Sequence, residues 1–327
     1  MVKKRFAAGF DVGGTKCAVI LGELTGEGGI EIVARKRFAT ADFRAPEACL
    51  AEMCRLLEMI LAETGTAKCD IIGIGISCGG PLDSRRGVVQ SPPNLPGWDD
   101  VPAVAIVERA TGLRAKLEND ANACALAEWR FGAGRGTSDM VFLTFGTGLG
   151  AGIIANGRLL GGHSGMGGEC GHIRIASSGP VGYGKAGSFE GFCSGGGIAQ
   201  LGRFRAEAAL KAGHPLVWCP TEADLPSVSA KTIGDAADSG DADAVAVYEE
   251  SGRRLGEGLS ILIDILNPEC IVIGSIFARS EHLLRPAMER VIAAEALPQS
   301  ASVCRVVPAQ LGEAIGDIAS LAIAAEM

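Results

Sequence analysis

The sequence predicts a mixed α/β fold built from two similar halves. Short apolar runs typical of buried strands alternate with segments that carry apolar residues at helical spacing. A strand, a glycine turn and a second strand also occur twice, around residues 11–21 and 144–155. Because such alternation is typical of sheets covered by helices, and because the unit recurs, we expect two halves with a ligand cleft between them.

The first half is predicted to begin with two strands joined by glycines. A buried strand at 6–11, a glycine turn at 12–16 and a strand at 17–22 open the chain. The elements that follow are assigned from helical spacing or from continuous apolar runs. They are a helix at 47–64, a strand at 70–76, a helix at 101–111, a strand at 115–118 and a helix at 120–131.

The second half repeats this alternation of strands and helices. Its predicted elements are a strand, glycine turn and strand within 140–155, helices at 194–212 and 243–266, a strand at 269–274 and a helix at 316–327. Three prolines in residues 214–231 indicate an excursion on the surface and no domain boundary.

Composition excludes several classes of protein. Of 327 residues, 47% are hydrophobic and 21% are charged, which is ordinary for a globular protein. The net charge of −8 and the lack of a Lys/Arg-rich run argue against a broad nucleic-acid surface. The uncharged stretch 140–157 contains five glycines, which fit a strand, turn and strand better than a membrane span.

The cysteines indicate a reducing compartment. There are 11, an odd number, and none are spaced as Cys-x-x-Cys. The N-terminus runs into a strand pattern without the apolar core of a signal peptide. We therefore expect reduced thiols in a cytoplasmic protein.

The first glycine turn has the composition of a phosphate-binding turn. Asp11, Gly13, Gly14, Thr15 and Lys16 lie between two predicted strands. Glycines let the backbone approach a phosphate, the threonine hydroxyl and exposed N–H groups can donate to it, and lysine adds positive charge. An aspartate at the strand end can hold a metal ion or its waters. Taken alone, the pattern fits a plain glycine-rich hairpin turn as well.

A second turn, Gly146-Thr147-Gly148, repeats this chemistry between two later strands. Because it runs into a strand and not into a helix, it does not match a dinucleotide fingerprint. Two Gly-Thr turns in opposite halves favour a polyphosphate held from both sides.

Several acidic side chains and one histidine have the types needed for chemistry on a hydroxyl compound. Asp120 follows Asn119 at a strand–helix junction, where it could be a general base or only a helix cap. Glu169, His172 and Glu190 lie in a glycine-rich stretch and suit the several hydroxyls of a sugar. A purely structural role for His172 fits equally well at this point.

Five motifs, taken in order, resemble those of the ROK family of sugar kinases, which includes bacterial glucokinases and N-acetylhexosamine kinases. The motifs are residues 11–16, 91–98, 118–122, 146–154 and 168–172, and the match continues through 267–274 to the terminal helix. The resemblance implies an actin-like (ribonuclease H-like) α/β fold of two lobes with a central cleft. Residues 1–118, completed by a helix at 313–327, would form the N-terminal lobe, and 119–312 the larger lobe.

The same resemblance implies roles for individual residues. Asp120 would be catalytic, taking the proton of the sugar hydroxyl that attacks the γ-phosphate of ATP. The residues implied to bind the sugar are Gly80, Asn119, Asp120, Glu169, His172 and Glu190. The residues implied to face ATP and Mg²⁺ are Asp11, Gly13, Gly14, Thr15, Lys16, Gly146, Thr147 and Gly148, with Gly274 beside the adenine. Relatives are often dimers, so a homodimer is expected, with a sugar as substrate and neither nucleic acid nor membrane as partner.

The chain departs from the family pattern where the family usually has a zinc motif. Val181, Tyr183 and Ser188 replace three cysteines of that motif. A tetrahedral site cannot be completed by His172 alone, so no structural zinc is expected. Tyr183 is our hypothesis for the residue that orients the imidazole instead.

Two further departures concern the ligands. Residues 274–276 read Gly-Ser-Ile where the family commonly has a run of glycines near the adenine. Residues 77–81 read Ser-Cys-Gly-Gly-Pro where glucokinases usually show Pro-Gly, and the Gly-Gly pair is similar to some N-acetylmannosamine kinases.

We therefore expect an ATP-dependent kinase that phosphorylates the 6-hydroxyl of a hexose, with glucose first. An N-acetylmannosamine or N-acetylglucosamine kinase is the alternative within the same class, and a non-catalytic sugar sensor or regulator is the alternative from another class. Only ten residues precede Asp11, too few for a DNA-reading module. Asp120 and the two glycine turns favour catalysis over sensing.

Overall fold

The computed structural model describes residues 4–26 and 28–327, and within them the chain forms two compact units. The first unit comprises Met1–Thr137, Gly152–Gly167 and Gln310–Met327, and the second comprises Ser138–Ala151 and Gly168–Ala309. The division into lobes at residues 118 and 119 stays a prediction.

Strands and helices alternate along most of the chain. In chain order they are β1 (Arg5–Val12), β2 (Lys16–Leu24), β3 (Ile30–Ala39), α1 (Pro46–Thr64), β4 (Ile71–Cys78), β5 (Leu82–Asp83), β6 (Val88–Val89), α2 (Ala103–Thr111), β7 (Ala115–Asn119), α3 (Asp120–Phe131), β8 (Met140–Phe145), β9 (Leu149–Ala155), β10 (Arg158–Leu159), β11 (Val181–Gly182), β12 (Lys185–Ala186), α4 (Phe189–Phe192), α5 (Gly195–Lys211), α6 (Ala230–Asp238), α7 (Ala242–Leu266), β13 (Cys270–Ile273), α8 (Ile276–Glu295), α9 (Pro298–Ala301), β14 (Arg305–Pro308) and α10 (Ile315–Ala325). Within the described residues, no helix is both long enough and apolar enough to cross a membrane.

A five-stranded sheet in the order β3-β2-β1-β4-β7 forms the centre of the first unit. Strand β1 runs antiparallel to β2 and parallel to β4. Its side chains alternate between two cores, because successive residues of a strand point to opposite faces. Phe6, Ala8 and Phe10 pack with α1 and α2, whereas Ala7 packs with Leu321 of α10. The sheet is therefore covered on both faces, as the apolar β4 segment predicts.

Small residues bring the terminal helix close to this sheet. A Cβ built at Gly9 of β1 would clash with the Ser320 side chain, and one built at Gly75 of β4 would clash with the Ser320 carbonyl oxygen. Helix α10 thus lies directly against β1 and β4, next to the turn that follows β1. This contact brings residues from the two ends of the sequence together.

The second five-stranded sheet has the order β10-β9-β8-β13-β14. Strand β13 runs parallel to both β8 and β14 and is fully buried. The turn between β8 and β9 corresponds to the one between β1 and β2, so the two predicted strand–turn–strand units are present.

Every strand and helix predicted from the sequence is present, with ends within two residues of the predicted ones. Sequence analysis did not predict β3, α6, α8 or β14. Strand β3 is an edge strand whose residues are all exposed or half-buried, and its charged residues, Glu31 and 35–37, interrupt the apolar ones. Helix α8 contains Pro286 and a non-helical residue, Ser280, which interrupt its helical pattern.

Candidate active site

The first glycine turn is fixed at its base and open at its surface. Between β1 and β2, Gly14, Thr15 and Lys16 are exposed. Thr40 holds the turn from below, because its hydroxyl donates to the Gly13 carbonyl at 2.6 Å and its backbone N–H donates to the Thr15 carbonyl at 3.0 Å. With these two carbonyls bonded inward, an exposed hydroxyl and an ammonium group remain at the surface, which suits an anion such as phosphate.

The loop at residues 91–98 packs against this turn. A Cβ at Gly14 would lie 2.5 Å from the carbonyl oxygen of Asn94, so a larger residue would displace the loop. The Asn94 side-chain amide nitrogen lies 3.4 Å from a Cβ built at Gly79. Sequence analysis recognised this loop as a motif but gave Asn94 no role.

Asp11, at the end of β1, lies in a negative environment. The pKa of its carboxyl group is raised from an ordinary 3.8 to about 6, mainly by burial and then by the negative charges of Asp317 and Asp120. Lys16 and Arg37 act in the opposite direction without cancelling the effect. A bound cation would relieve this repulsion, so the Asp11 carboxylate fits a role in holding a magnesium ion. The described residues contain no cluster of three or more His, Cys, Asp or Glu side chains suited to a metal ion.

Asp317 links the two ends of the first unit. Its side chain is only 4% exposed and forms ion pairs with Arg35 and Arg37 of β3. It lies in the first turn of α10, where a carboxylate also interacts favourably with the helix dipole. Sequence analysis missed Asp317, because nothing local marks it as different from other acidic residues.

Asn119 and Asp120 lie at the start of α3 and differ in their position and exposure. The Asn119 side chain caps the helix by accepting a hydrogen bond from the Ala121 N–H at 2.9 Å. Asp120 is the first helical residue, and its Oδ1 accepts from the same N–H at 2.8 Å. Asp120 is exposed, yet enough protein atoms surround it that lost hydration raises the pKa of its carboxyl group, against the opposing effect of the backbone hydrogen bonds. Its carboxylate is therefore a better proton acceptor than an ordinary aspartate.

Glu118 orients this helix start from the interior. The residue is 5% exposed, and its Oε1 accepts hydrogen bonds from the Asn119 N–H at 3.0 Å and the Asn122 side chain at 3.0 Å. The Ser84 hydroxyl donates to the same oxygen at 3.2 Å. A Cβ at Gly80 would lie 3.2 Å from the side-chain amide nitrogen of Asn119, so these two residues are neighbours. Their proximity is consistent with the prediction that both bind the sugar. Sequence analysis gave Glu118 no role of its own.

The second glycine turn is held by the start of α5. The Gly195 N–H donates to the Gly146 carbonyl at 2.7 Å, and the Gly146 N–H donates to the Gly148 carbonyl at 3.1 Å. Thr147 between them is exposed. The turn thus has the same arrangement as the first, with a bonded base and an exposed threonine.

Glu190 contacts this second turn directly. Its Oε2 accepts a hydrogen bond from the Leu149 N–H at 3.0 Å. A Cβ at Gly148 would lie 2.7 Å from the same oxygen, so the carboxylate rests against the turn backbone. A predicted sugar ligand and a predicted phosphate turn are therefore adjacent within the second unit.

Glu169 and His172 flank a single 3-10 turn, Cys170–His172, and both side chains are exposed. Lys185 of β12 supports this turn, because its ammonium group donates to the His172 carbonyl at 2.7 Å. The Tyr183 ring lies edge-to-face with the imidazole, with 6.3 Å between ring centroids. The hypothesis that Tyr183 orients His172 thus has a geometric basis in a ring contact.

The three positions that replace the zinc-motif cysteines have different surroundings. Val181 and Tyr183 are exposed in the β11–β12 hairpin. Ser188 is buried and caps α4 by accepting from the Gly191 N–H at 3.1 Å.

Gly274 ends β13 beside an aromatic ring. A Cβ there would lie 3.3 Å from the Phe142 ring, and the Gly274 N–H donates to the Leu143 carbonyl at 2.9 Å. Ser275 follows with φ of 53° and ψ of −107°, a conformation that favours glycine. The side-chain oxygen of Ser275 lies 3.8 Å from a Cβ built at Gly146, so Gly274 is close to the second turn.

Each unit therefore collects part of the predicted site. The first unit brings together Asp11, Gly13, Gly14, Thr15, Lys16, Gly80, Asn119 and Asp120. The second unit brings together Gly146, Thr147, Gly148, Glu169, His172, Glu190 and Gly274. The roles of these residues stay predictions.

These observations define a class of mixed α/β proteins with two strand–glycine turn–strand units and an exposed carboxylate at a helix start. The model of the ROK family matches residues 7–326. The chain belongs to the ROK family.

Relatives and solved structures agree with this assignment. The glucokinase of Halalkalibacterium halodurans is 34% identical over 317 residues, which cover 96% of this chain and 93% of that protein. The structure of a ROK family glucokinase from Streptomyces griseus, in complex with glucose and AMPPNP, is similar with a TM-score of 0.72 and 30% identity, covering 99% of this chain and 100% of that one. A ROK family transcriptional regulator, a homologue of the Escherichia coli MLC protein, gives a TM-score of 0.81 at 27% identity, covering 98% of this chain and 78% of the regulator. The chain thus has the actin-like α/β fold that ROK kinases and regulators share.

Proposed function

We propose that this protein is an ATP-dependent sugar kinase that transfers the γ-phosphoryl group of ATP to the 6-hydroxyl of a hexose, with glucose as the first candidate. The observation that carries the proposal is Asp120, an exposed carboxylate with a raised pKa at the start of α3. Its neighbour Asn119 is fixed by capping that helix. The similarity to glucokinases over most of the chain supports the same assignment.

Asp120 acts as the general base in this proposal. It accepts the proton of the sugar hydroxyl while that oxygen forms a bond to the γ-phosphorus and the bond to the bridging oxygen of ADP breaks. Lost hydration raises the pKa of the Asp120 carboxyl group, which increases the affinity of the carboxylate for that proton. Positioning of the two substrates supplies most of the remaining rate enhancement.

The two glycine turns bind the phosphates in this proposal. Thr15 and Lys16 provide a hydroxyl and an ammonium group on an exposed turn, and Thr147 provides a second hydroxyl. Asp11 would hold a magnesium ion, which would supply positive charge against the negative phosphates. Gly13, Gly14, Gly146 and Gly148 leave room for the nucleotide, and Gly274 borders the adenine.

Hydrogen-bonding side chains bind the sugar in this proposal. Asn119, Glu169, His172 and Glu190 bind its hydroxyls, and the backbone at Gly80 contributes a further contact. Lys185 and Tyr183 support the residue that presents the imidazole, and we propose that they do so without a structural zinc ion. We also propose a cytoplasmic homodimer that contacts neither nucleic acid nor membrane.

Two other functions are retained for specific reasons. The Gly79-Gly80 pair is similar to that of some N-acetylmannosamine kinases, so an N-acetylmannosamine or N-acetylglucosamine kinase is the alternative within the same class. The similarity to the transcriptional regulator favours a sugar sensor without catalysis.

The experiment that tests the proposal is release of ADP from Mg·ATP, coupled to a spectroscopic readout, with a panel of sugars. The panel contains glucose, mannose, fructose, N-acetylglucosamine and N-acetylmannosamine, and the control is Asp120→Asn. Turnover of one sugar that is lost in the control supports a kinase and names its substrate. Sugar binding by calorimetry without turnover of any sugar would favour the sensor and contradict the kinase.

A further inference from the structure

Glu190 connects α4 to the second glycine turn. In the proposed function Glu190 itself binds the sugar, whereas the turn binds phosphate. The residue lies in the first turn of α4, behind the buried cap Ser188. Its Oε2 accepts a hydrogen bond from the backbone N–H of Leu149, the residue that follows the second glycine turn. Glu190, which the proposed function makes a sugar ligand, is therefore also bonded to the turn that is proposed to bind phosphate.

The contact is close enough for electrostatics to act between Glu190 and a bound phosphate. A Cβ at Gly148 would lie only 2.7 Å from Oε2, so this oxygen is in contact with the backbone of the turn. On the other side of the turn, the Gly146 carbonyl is fixed by the Gly195 N–H at 2.7 Å. A negative charge so placed repels the phosphates that the turn is proposed to bind.

We propose that Glu190 couples sugar binding to nucleotide binding, an inference that rests on the proposed kinase function. Sugar hydroxyls that donate to the carboxylate spread its negative charge and so weaken this repulsion. Phosphate binding at the turn becomes more favourable, and a bound sugar therefore raises the affinity for the nucleotide. By linkage, a bound nucleotide raises the affinity for the sugar by the same factor.

The test measures the dissociation constant of Mg·AMPPNP by calorimetry, with and without saturating glucose or whichever sugar the panel identifies. In the unchanged protein we expect the sugar to tighten nucleotide binding about tenfold, within the usual range for coupled sites. In Glu190→Gln the repulsive charge is absent, so the nucleotide binds without sugar nearly as tightly as it binds to the sugar-saturated natural protein. This readout needs no sugar and remains valid if the variant binds sugar poorly.

Glu169→Gln is the matched control. It removes the same charge from an exposed residue of the proposed sugar site, in a segment that does not supply the turn contact. We expect it to weaken sugar binding and to keep the sugar-free nucleotide affinity unchanged. Glu190→Asp keeps the charge but shortens the side chain by one methylene, so the bond to Leu149 is lost and coupling is expected to fall.

Two results would overturn the inference. One is a natural protein whose nucleotide affinity does not depend on the sugar it phosphorylates. The other is a Glu190→Gln variant with natural sugar-free affinity and natural coupling. In both cases Asp120-dependent turnover would leave the kinase function standing, whereas loss of all turnover and all sugar binding would remove both proposals. Thermal unfolding of each variant identifies those that fail to fold, in which case Glu190→Asp carries the test.

Discussion

The replacement Asp11→Asn should stabilise the protein without ligands while it removes activity. The Asp11 carboxyl group loses hydration on folding and faces the charges of Asp317 and Asp120, which together raise its pKa from 3.8 to about 6. Such a rise corresponds to about 3 kcal/mol of unfavourable free energy when the group is ionised in the folded state. Asparagine has nearly the same shape and carries no charge, so it avoids this cost.

The sign of the pH dependence follows from the raised pKa. Well below pH 3.8 the carboxyl group is protonated in both states and costs nothing. As pH rises from 3.8 to about 6 the unfolded state ionises first, so the folded protein loses stability, and the loss is complete only well above pH 6. Asp11→Asn should therefore increase the free energy of unfolding by up to about 3 kcal/mol at pH 7.5 and by little at pH 4.

Urea unfolding followed by circular dichroism at pH 4.5, 6 and 7.5 measures this difference. Asp42→Asn, at an exposed site of the same unit, controls for the loss of one negative charge. The reasoning is refuted if Asp11→Asn gives the same change at all three pH values, or if it destabilises the protein at pH 7.5. If turnover with Mg·ATP falls while stability rises, the Asp11 carboxylate is needed for activity although its repulsion with Asp317 and Asp120 destabilises the fold. That result is expected if Asp11 holds a cation.

Three further replacements test other parts of the site. Glu118→Ala removes the acceptor of three hydrogen bonds and should lower the free energy of unfolding by about 2 kcal/mol, measured by urea titration; an unchanged midpoint would contradict its orienting role. Ser275→Gly relieves a left-handed φ of 53° and should stabilise the protein by about 1 kcal/mol, whereas Ser275→Ala should give no gain; equal effects in thermal unfolding would exclude backbone strain. Tyr183→Ala should raise the KM for the sugar about two- to tenfold by removing the ring contact with His172, while Tyr183→Phe keeps it; equal losses in both variants would assign the effect to the hydroxyl instead.

Periodicity was sufficient to predict the buried part of the fold. Strand β4 is apolar throughout because helices cover both of its faces, and α1 shows helical spacing because one face packs on the sheet. Strand β3 carries Glu31, Arg35 and Arg37 at an edge, where no core imposes an apolar pattern. Strand β3 was therefore not predicted, because the prediction depends on the apolar pattern that burial produces.

Some residues of the candidate site could be predicted from their sequence neighbours, whereas others depend on contacts with distant parts of the chain. The glycine turns and Asp120 are recognisable because the chemistry resides in adjacent residues. Asp317 and Thr40 act through contacts with residues far away in the sequence, such as Arg35 and Gly13. Pairings of this kind depend on which strands are neighbours, and no short pattern contains that information.

Hydrogen bonds fix the segment in which Val181, Tyr183 and Ser188 stand at the positions where the family resemblance implied cysteines. Lys185 donates to the His172 carbonyl at 2.7 Å, and the Arg174 guanidinium donates to the Ala186 carbonyl at 2.6 Å. The Gln200 amide bonds both the N–H and the carbonyl of Val181, each at 2.9 Å. These bonds join the β11–β12 hairpin to the turn that carries His172 and to α5, so the lost cysteines do not leave the segment unsupported. The sequence located the departure, but the replacement depends on lysine, arginine and glutamine side chains, which are common at any surface.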